Sequence, residues 1–311
     1  MSTELEIPAP RRPMDRLWPS DRLFLPALAV SIVLLVGVRD RSPQADFWVV
    51  VDLLLIGLQL VVTSTTKSLA QGARWRMILP LVTIPLIFTQ LGATIPYVNP
   101  RGYEAELNRL DRFLAFGRDP LRLVAGLAHP LLTEILQWIY DFYFFITLIV
   151  GVAIYRKGRS VELARTAFVF SLCILLSYVG YYLVPATGPN IDRLGLYGFE
   201  SGMPGVFLAD ELRATIYVIE KIKQDCFPSG HVAVSVTALL LAGRYCRETL
   251  ILLWPLVAAL VFSTVYLRYH YVTDVLGGIL LAWMSTVLGL AWHRRFERRI
   301  WGWHGQSSRD H

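Results

Sequence analysis

The sequence predicts an all-α integral membrane protein with about eight transmembrane helices, and three observations carry that expectation. Of its 311 residues, 54% are hydrophobic and only 17% are charged, against roughly a quarter charged in soluble domains. Mean hydropathy is +0.47. The apolar residues gather in long blocks instead of alternating with polar ones, which excludes a disordered chain, a secreted disulfide scaffold and an ordinary soluble enzyme. The three cysteines, Cys173, Cys226 and Cys246, show no CxxC spacing, so neither a disulfide framework nor a zinc site is indicated.

Eight apolar segments follow in order: 23–38, 47–64, 75–98, 135–154, 166–184, 231–243, 249–267 and 275–293. Most are long enough to cross roughly 30 Å of hydrocarbon at ~1.5 Å per residue. The first and sixth are short and would borrow Leu17, Trp18, Tyr245 and Cys246 from their flanks. Pro-rich polar sequence precedes the first segment and no small-residue cleavage pattern follows it, so it does not read as a secretory signal. Asp52, Gln59 and Asp141 interrupt apolar spans, and intramembrane acids usually face the bundle interior. Asp141, toward the outer end of its span, is a candidate head-group contact. Trp292 and Trp301 read as interface anchors.

Two connections are too long for simple turns. In 99–134, Leu107, Leu110, Phe113 and Leu114 share a helical face that closes at Gly117. Asp119-Pro120 then reads as an N-cap followed by proline at the first helical position. In 205–225, Leu208, Leu212, Ile216, Ile219 and Ile222 recur at helical spacing, with Asp210, Glu211, Arg213, Lys221 and Lys223 between them. Both suit helices lying in the interface plane, which either cap the bundle or shape a lipid entrance.

Lys and Arg make up about one residue in four on the side holding both termini and one in eight on the other. The termini are therefore expected to be cytoplasmic. The pI of about 9.3 is then a topology signal, and nucleic acid is not an expected partner.

Three polar clusters break the apolar pattern, all on the outer side by this count. They are Gly180 to Asn190, Cys226 to His231, and Tyr266 to Asp274. Pro228-Ser229-Gly230-His231 stops a loop and starts a helix, where unpaired N–H groups and a partial positive charge suit phosphate. Gly230 would let an anion approach the backbone, and the Ser229 hydroxyl can donate or cap. His231 sits where a proton can pass to or from a phosphoester oxygen. His270 and Asp274, four apart, can meet on one turn, so that the carboxylate fixes one imidazole nitrogen and frees the other as a nucleophile. Arg268 adds a cation able to clamp phosphate oxygens. A His–Asp pair can also bind a metal, but few further acids lie nearby, and neither metal nor cofactor is expected.

These ordered clusters resemble the type 2 phosphatidic acid phosphatase superfamily. Within it they most resemble the branch of inositol phosphorylceramide synthases and sphingomyelin synthases. The resemblance covers roughly 75–293 and rests on PSGH at Pro228 to His231 and H-Y-x-x-D-V at His270 to Val275. It implies a six-span catalytic core (75–293) with two additional spans before it (23–74); the charge count adds a cytoplasmic tail at each end (1–22 and 294–311). It also implies His270 as the nucleophile that becomes a phosphohistidine, Asp274 as its orienting acid and His231 as general acid and later base. Ser229 and Gly230 fall at phosphate-contacting positions, with Asn190 at the end of the first cluster a further substrate contact.

Two departures stand out. The superfamily's phosphatases carry Lys and Arg-Pro in the first cluster, where Tyr181 to Asn190 holds no basic residue. They also carry Arg six residues before the nucleophile, where this chain has Thr264. Arg268, with Arg193, Lys221 or Lys223, would have to fill the cradle. A thinner cradle suits a phosphodiester donor. The expected function is therefore transfer of a phospho-head-group from a phospholipid to a lipid hydroxyl, as in an inositol phosphorylceramide synthase. Lipid phosphate hydrolysis by water is the alternative, and a non-catalytic transporter or lipid-binding scaffold the lesser one. Compact loops suggest a bacterial inner membrane, with the site on its extracytoplasmic face.

Overall fold

The computed structural model describes residues 17–66, 68–191, 203–219 and 222–300. The expectations placed on Arg193, Lys221 and Trp301 and on most of the N-terminal tail lie outside them. Twelve α-helices are named among the described residues: α1 (Asp21–Gly37), α2 (Ala45–Thr65), α3 (Leu69–Val98), α4 (Glu104–Leu114), α5 (Pro120–Ala125), α6 (Pro130–Asp141), α7 (Tyr143–Arg156), α8 (Ser160–Leu183), α9 (Ala209–Ile219), α10 (Gly230–Tyr245), α11 (Leu250–Tyr266) and α12 (Val272–Ile300). Five are long and apolar enough to cross a membrane, or six spans if α6 and α7 count as one broken span. The protein is an all-α, multi-pass membrane protein. Val33, Leu54, Leu81, Ile251 and Trp283 point outward, as a hydrocarbon surround favours.

Helix α10 is the hub. It packs against α7, α8, α11 and α12, and the small side chains Ala233, Ala238 and Ala242 are fully buried at those contacts. Ile146, Val150, Val169, Leu253 and Leu260 fill the space around it. A second apolar cluster, including Phe24, Leu28, Leu55, Leu91, Ile95 and Tyr178, joins α1–α3 to α8.

Asp21, Asp52, Gln59, Arg76 and Gln90 of the first three helices are buried, as expected for intramembrane polar groups. The Arg76 guanidinium donates to Asp21 at 2.6 Å, both side chains being almost fully buried, and Gln59 donates to the same carboxylate. Asp52 accepts from Gln90 at 2.6 Å, which in turn accepts from Ser31 at 2.8 Å. These bonds replace water for groups that lipid cannot satisfy. Trp18 precedes α1 instead of extending it, and its ring lies 4.7 Å from the Arg76 guanidinium carbon. Tyr245, by contrast, does lengthen α10, and Cys246 caps it.

One expected span is two helices. Segment 135–154 breaks at Phe142, with a 48° bend between α6 and α7. The break turns Tyr140 and Tyr143 toward the same histidine: their rings both lie 4.4 Å from that of His231.

Both long connections contain helices, α4 and α5 in the first and α9 in the second, although α9 ends at Ile219 and leaves Ile222 outside it; α5 begins with Asp119 accepting from the Leu121 and Arg122 N–H groups. Helix α4 does more than cap the bundle. Its Glu104 accepts from the Thr187 N–H and hydroxyl at 3.0 and 2.9 Å. Its Asp111 accepts from the N–H groups of Val272 and Thr273 and from the Thr273 hydroxyl at 2.9, 2.7 and 2.6 Å. One short helix thus holds the first polar cluster with one carboxylate and the start of α12 with the other, satisfying orphan donors there. Burial pushes the Asp111 carboxyl above its ordinary range.

Candidate active site

Backbone hydrogen bonds sew the three polar clusters together. The Cys226 N–H donates to the Ala186 carbonyl at 3.1 Å, the Asn190 N–H to the Arg268 carbonyl at 2.8 Å, and the Ser229 N–H to the Asp274 carbonyl at 3.1 Å. Segments far apart in sequence therefore meet at one place, as a single site requires.

Ser229 is the N-cap of α10. Its hydroxyl accepts from the Val232 N–H at 3.3 Å and is fully buried, so of the two roles open to it the structure shows capping. Gly230 lines the cavity described below. A Cβ there would lie 2.5 Å from the Tyr181 hydroxyl oxygen, so glycine is needed to let Tyr181 close over the helix start.

The loop before α12 turns on Arg268, whose φ is +63°. The N–H groups of Tyr269 and His270 both reach the Thr264 carbonyl at 3.0 Å. His270 Nδ1 then lies 3.0 Å from the Cys226 carbonyl and 3.5 Å from Asp274 Oδ2. The carbonyl is the better-placed acceptor. It fixes the tautomer with the proton on Nδ1, while Asp274 supplies charge from slightly farther away. Asp274 Oδ2 is itself held by the Tyr271 N–H and the Cys226 thiol, both at 2.8 Å. Asp274 Oδ1 is buried with no hydrogen-bond partner among the described residues.

Cys226, His270 and Asp274 place one donor atom each within 4.8 Å of one another, a set that could hold a metal ion. The hydrogen bonds account for the same geometry. Burial, reinforced by the Asp274 carboxylate, pushes the Cys226 thiol well above its usual range, which suits its role as hydrogen-bond donor to Asp274.

The rings of His231 and His270 are 6.0 Å apart and border one cavity of about 230 Å³. His231 Nδ1 is 3.3 Å from the Tyr140 hydroxyl. Asn190, Arg213, Lys223 and Asp225 give the cavity its polar groups, and Ile84, Phe88, Ile174, Tyr178 and Ile216 give it an apolar arm between α3, α8 and α9. Burial raises the Asp225 carboxyl to about 6, an effect that His270 and Lys223 partly offset. Burial likewise takes the Tyr269 hydroxyl up to about 12.

Of the residues singled out in the sequence, His231, His270, Gly230 and Asn190 line the cavity, with Asp274 directly behind His270. Arg268 and Asp141 are not on its wall. The Arg268 carbonyl serves the loop, and burial together with the charge of Arg213 lowers its guanidinium pKa. Asp141 accepts from Gln137 at 3.2 and 3.3 Å. Sequence reasoning missed Tyr140, Tyr143, the Cys226 carbonyl, Arg213 and Asp225. Asp225, an acid beside the second cluster, was the one with a visible signal.

Comparison with known proteins identifies the family. A family model described as the PAP2 superfamily matches residues 105–288, a stretch that includes His231, His270 and Asp274. A curated protein named phosphoinositol dihydroceramide synthase, from Bacteroides thetaiotaomicron, is 32% identical over 169 residues, covering 49% of this chain and 54% of that relative. The chain thus spans about half the length of the relative it matches. No solved structure gives a significant match.

Proposed function

The chain belongs to the PAP2 superfamily, and we propose that it moves a phospho-head-group from a phospholipid to a lipid hydroxyl through a phosphohistidine. The observation that carries this reading is the pair of imidazoles 6.0 Å apart across one cavity, with His270 Nδ1 already engaged by the Cys226 carbonyl. The remaining nitrogen, Nε2, keeps its lone pair for attack.

In the first step His270 Nε2 attacks phosphorus, and the bond from phosphorus to the glyceride oxygen breaks. His231 gives its proton to that oxygen, so the neutral diglyceride departs. The head-group phosphate now sits on His270, whose ring is cationic because Nδ1 keeps its proton. Asp274 stabilises that charge. In the second step His231, now neutral, removes the proton from the acceptor hydroxyl. The acceptor oxygen attacks phosphorus, the phosphorus–nitrogen bond breaks, and both imidazoles return to their starting states.

A lipid acceptor is supported by the apolar arm of the cavity, which gives an acyl or sphingoid chain a surface to lie on. It is also supported by the name of the Bacteroides relative, which is a synthase. A polyol head group suits the hydroxyl-rich wall of tyrosines with Asn190 and Asp225. The Lys/Arg bias supports a site on the extracytoplasmic face, and the bacterial relative supports a bacterial membrane.

The test is incubation of the purified protein with head-group-labelled phosphatidylinositol and dihydroceramide. A labelled sphingolipid is expected from the native protein and none from His270→Ala or His231→Ala. Undiminished turnover by either variant overturns the mechanism. Release of label without a new lipid, or of phosphate from phosphatidic acid alone, overturns the lipid acceptor.

A further inference from the structure

The first cluster has no cation, and the position six residues before His270 is Thr264, which is fully buried. A phosphoryl group that gains charge in its transition state needs a donor cation nearby. The structure brings one from an unexpected direction.

Helix α9 is anchored by a side chain of α6. Glu134 accepts from the N–H groups of Val206, Phe207, Leu208 and Ala209 at 3.0, 3.0, 2.9 and 3.2 Å. These are orphan donors at a helix start, and the carboxylate also complements the helix dipole. Trp138 donates to the same carboxylate at 3.0 Å, which fixes its orientation. The fit is close: a Cβ on Gly205 would lie 2.6 Å from Glu134 Oε2. Ala209 is fully buried beneath the turn.

One turn along α9, Arg213 lines the same cavity as His231 and His270. Its guanidinium donates to the Met203 carbonyl at 2.7 Å and to the half-exposed Asp210 at 3.2 Å, which accounts for two of its five N–H donors. The Tyr269 hydroxyl also lies within its reach. Tyr269 packs on Tyr140 at 4.5 Å, and Tyr140 packs on His231 at 4.4 Å, so a short run of rings joins the cation to the acid–base histidine. Among the described residues Lys223 is the other cation on the wall, but its ammonium lies 2.7 Å from the Tyr217 carbonyl and 3.5 Å from that ring's centre.

We propose that Arg213 receives the anionic phospho-head-group of the donor, in place of the basic residues absent from the first cluster, and that Glu134 positions it through α9. The inference rests on the phosphohistidine reading above. Arg213 is a substrate-binding residue with a planar fork suited to phosphate oxygens. Glu134 is a positioning residue that touches no substrate.

The experiment measures KM and kcat for labelled phosphatidylinositol, and the thermal stabilisation given by orthovanadate, on detergent-purified variants. Arg213→Met is expected to raise KM at least tenfold and to abolish most of the orthovanadate stabilisation. Arg213→Lys should recover part of both, and it stands in if the methionine variant does not fold. Glu134→Gln should raise KM with a smaller change in kcat, and should add nothing in the Arg213→Met background. Native KM and native orthovanadate response in the Arg213 variants overturn the assignment, and additive losses in the double variant overturn the positioning role. His270→Ala separates the two levels. If it stays active, the phosphohistidine reading fails; if it is inactive while Arg213→Met is native-like, only the present inference fails.

Discussion

Replacing Asp274 with asparagine isolates charge from geometry at His270, the proposed nucleophile. The Tyr271 N–H and the Cys226 thiol, each 2.8 Å from Oδ2, require an acceptor there. The amide oxygen of the substituted side chain must take that place, leaving its NH2 at the partnerless Oδ1 position. The His270 tautomer survives, because Nδ1 is held by the Cys226 carbonyl at 3.0 Å. What is lost is the attraction between a carboxylate and the cationic phosphoimidazole. At the 3.5 Å separation and an effective dielectric of about 20, two unit charges interact by about 4 to 5 kcal/mol. The amide dipole and local relaxation return part of that. The expected fall in kcat is therefore about 10²- to 10³-fold at ~1.4 kcal/mol per decade, with KM near native. The assay is initial-rate transfer from labelled phospholipid, with acid-labile, base-stable label on the protein reporting the intermediate. A loss under tenfold would show that the charge is not coupled to the reaction. A loss beyond about 10⁵-fold would show that Asp274, and not the carbonyl, sets the tautomer. Either result refutes the reasoning.

Three further outcomes are expected. Asp225→Asn should raise hydrolysis of phosphatidic acid relative to phosphatidylinositol several-fold at pH 7.5, because an ionised acid on the wall opposes a second phosphate charge. At pH 5, below the value of about 6 to which burial raises Asp225, native carboxyl and amide are both neutral and the two proteins should converge; equal ratios at both pH values would rule this out. Asp111→Ala orphans two N–H groups and a hydroxyl at the start of α12 and should lower stability by about 1–3 kcal/mol, read as a reduced thermal midpoint together with reduced kcat. Chelator should leave turnover unchanged and added zinc should not stimulate it; loss of activity that zinc restores would instead assign Cys226, His270 and Asp274 to a metal.

The parts of the molecule legible in the sequence are those governed by local spacing. Apolar blocks found most of the long helices, and Asp119-Pro120 found the start of α5. PSGH marked the start of α10, and the four-residue step from His270 to Asp274 placed a carboxylate beside an imidazole. What stayed hidden depends on contacts across the fold. The break at Phe142 brings two tyrosines onto His231, a contact that hydropathy alone does not encode. The Cys226 carbonyl is backbone and leaves no trace in residue identity. Glu134 reads as one more charge on an amphipathic helix, and its work becomes visible only when α9 lies across α6. Arg268 carried the expected charge at the expected place, but its left-handed backbone and the packing of its loop keep it off the cavity wall.

The stacking of Tyr140 and Tyr143 on His231 has an order-of-events consequence. In the proposed mechanism this one imidazole, held between two rings, serves the oxygen that leaves and then the oxygen that arrives. On that mechanism the two lipids would occupy the same berth in turn. Double-displacement kinetics follow, with parallel reciprocal plots and with excess acceptor lipid competing against its own donor.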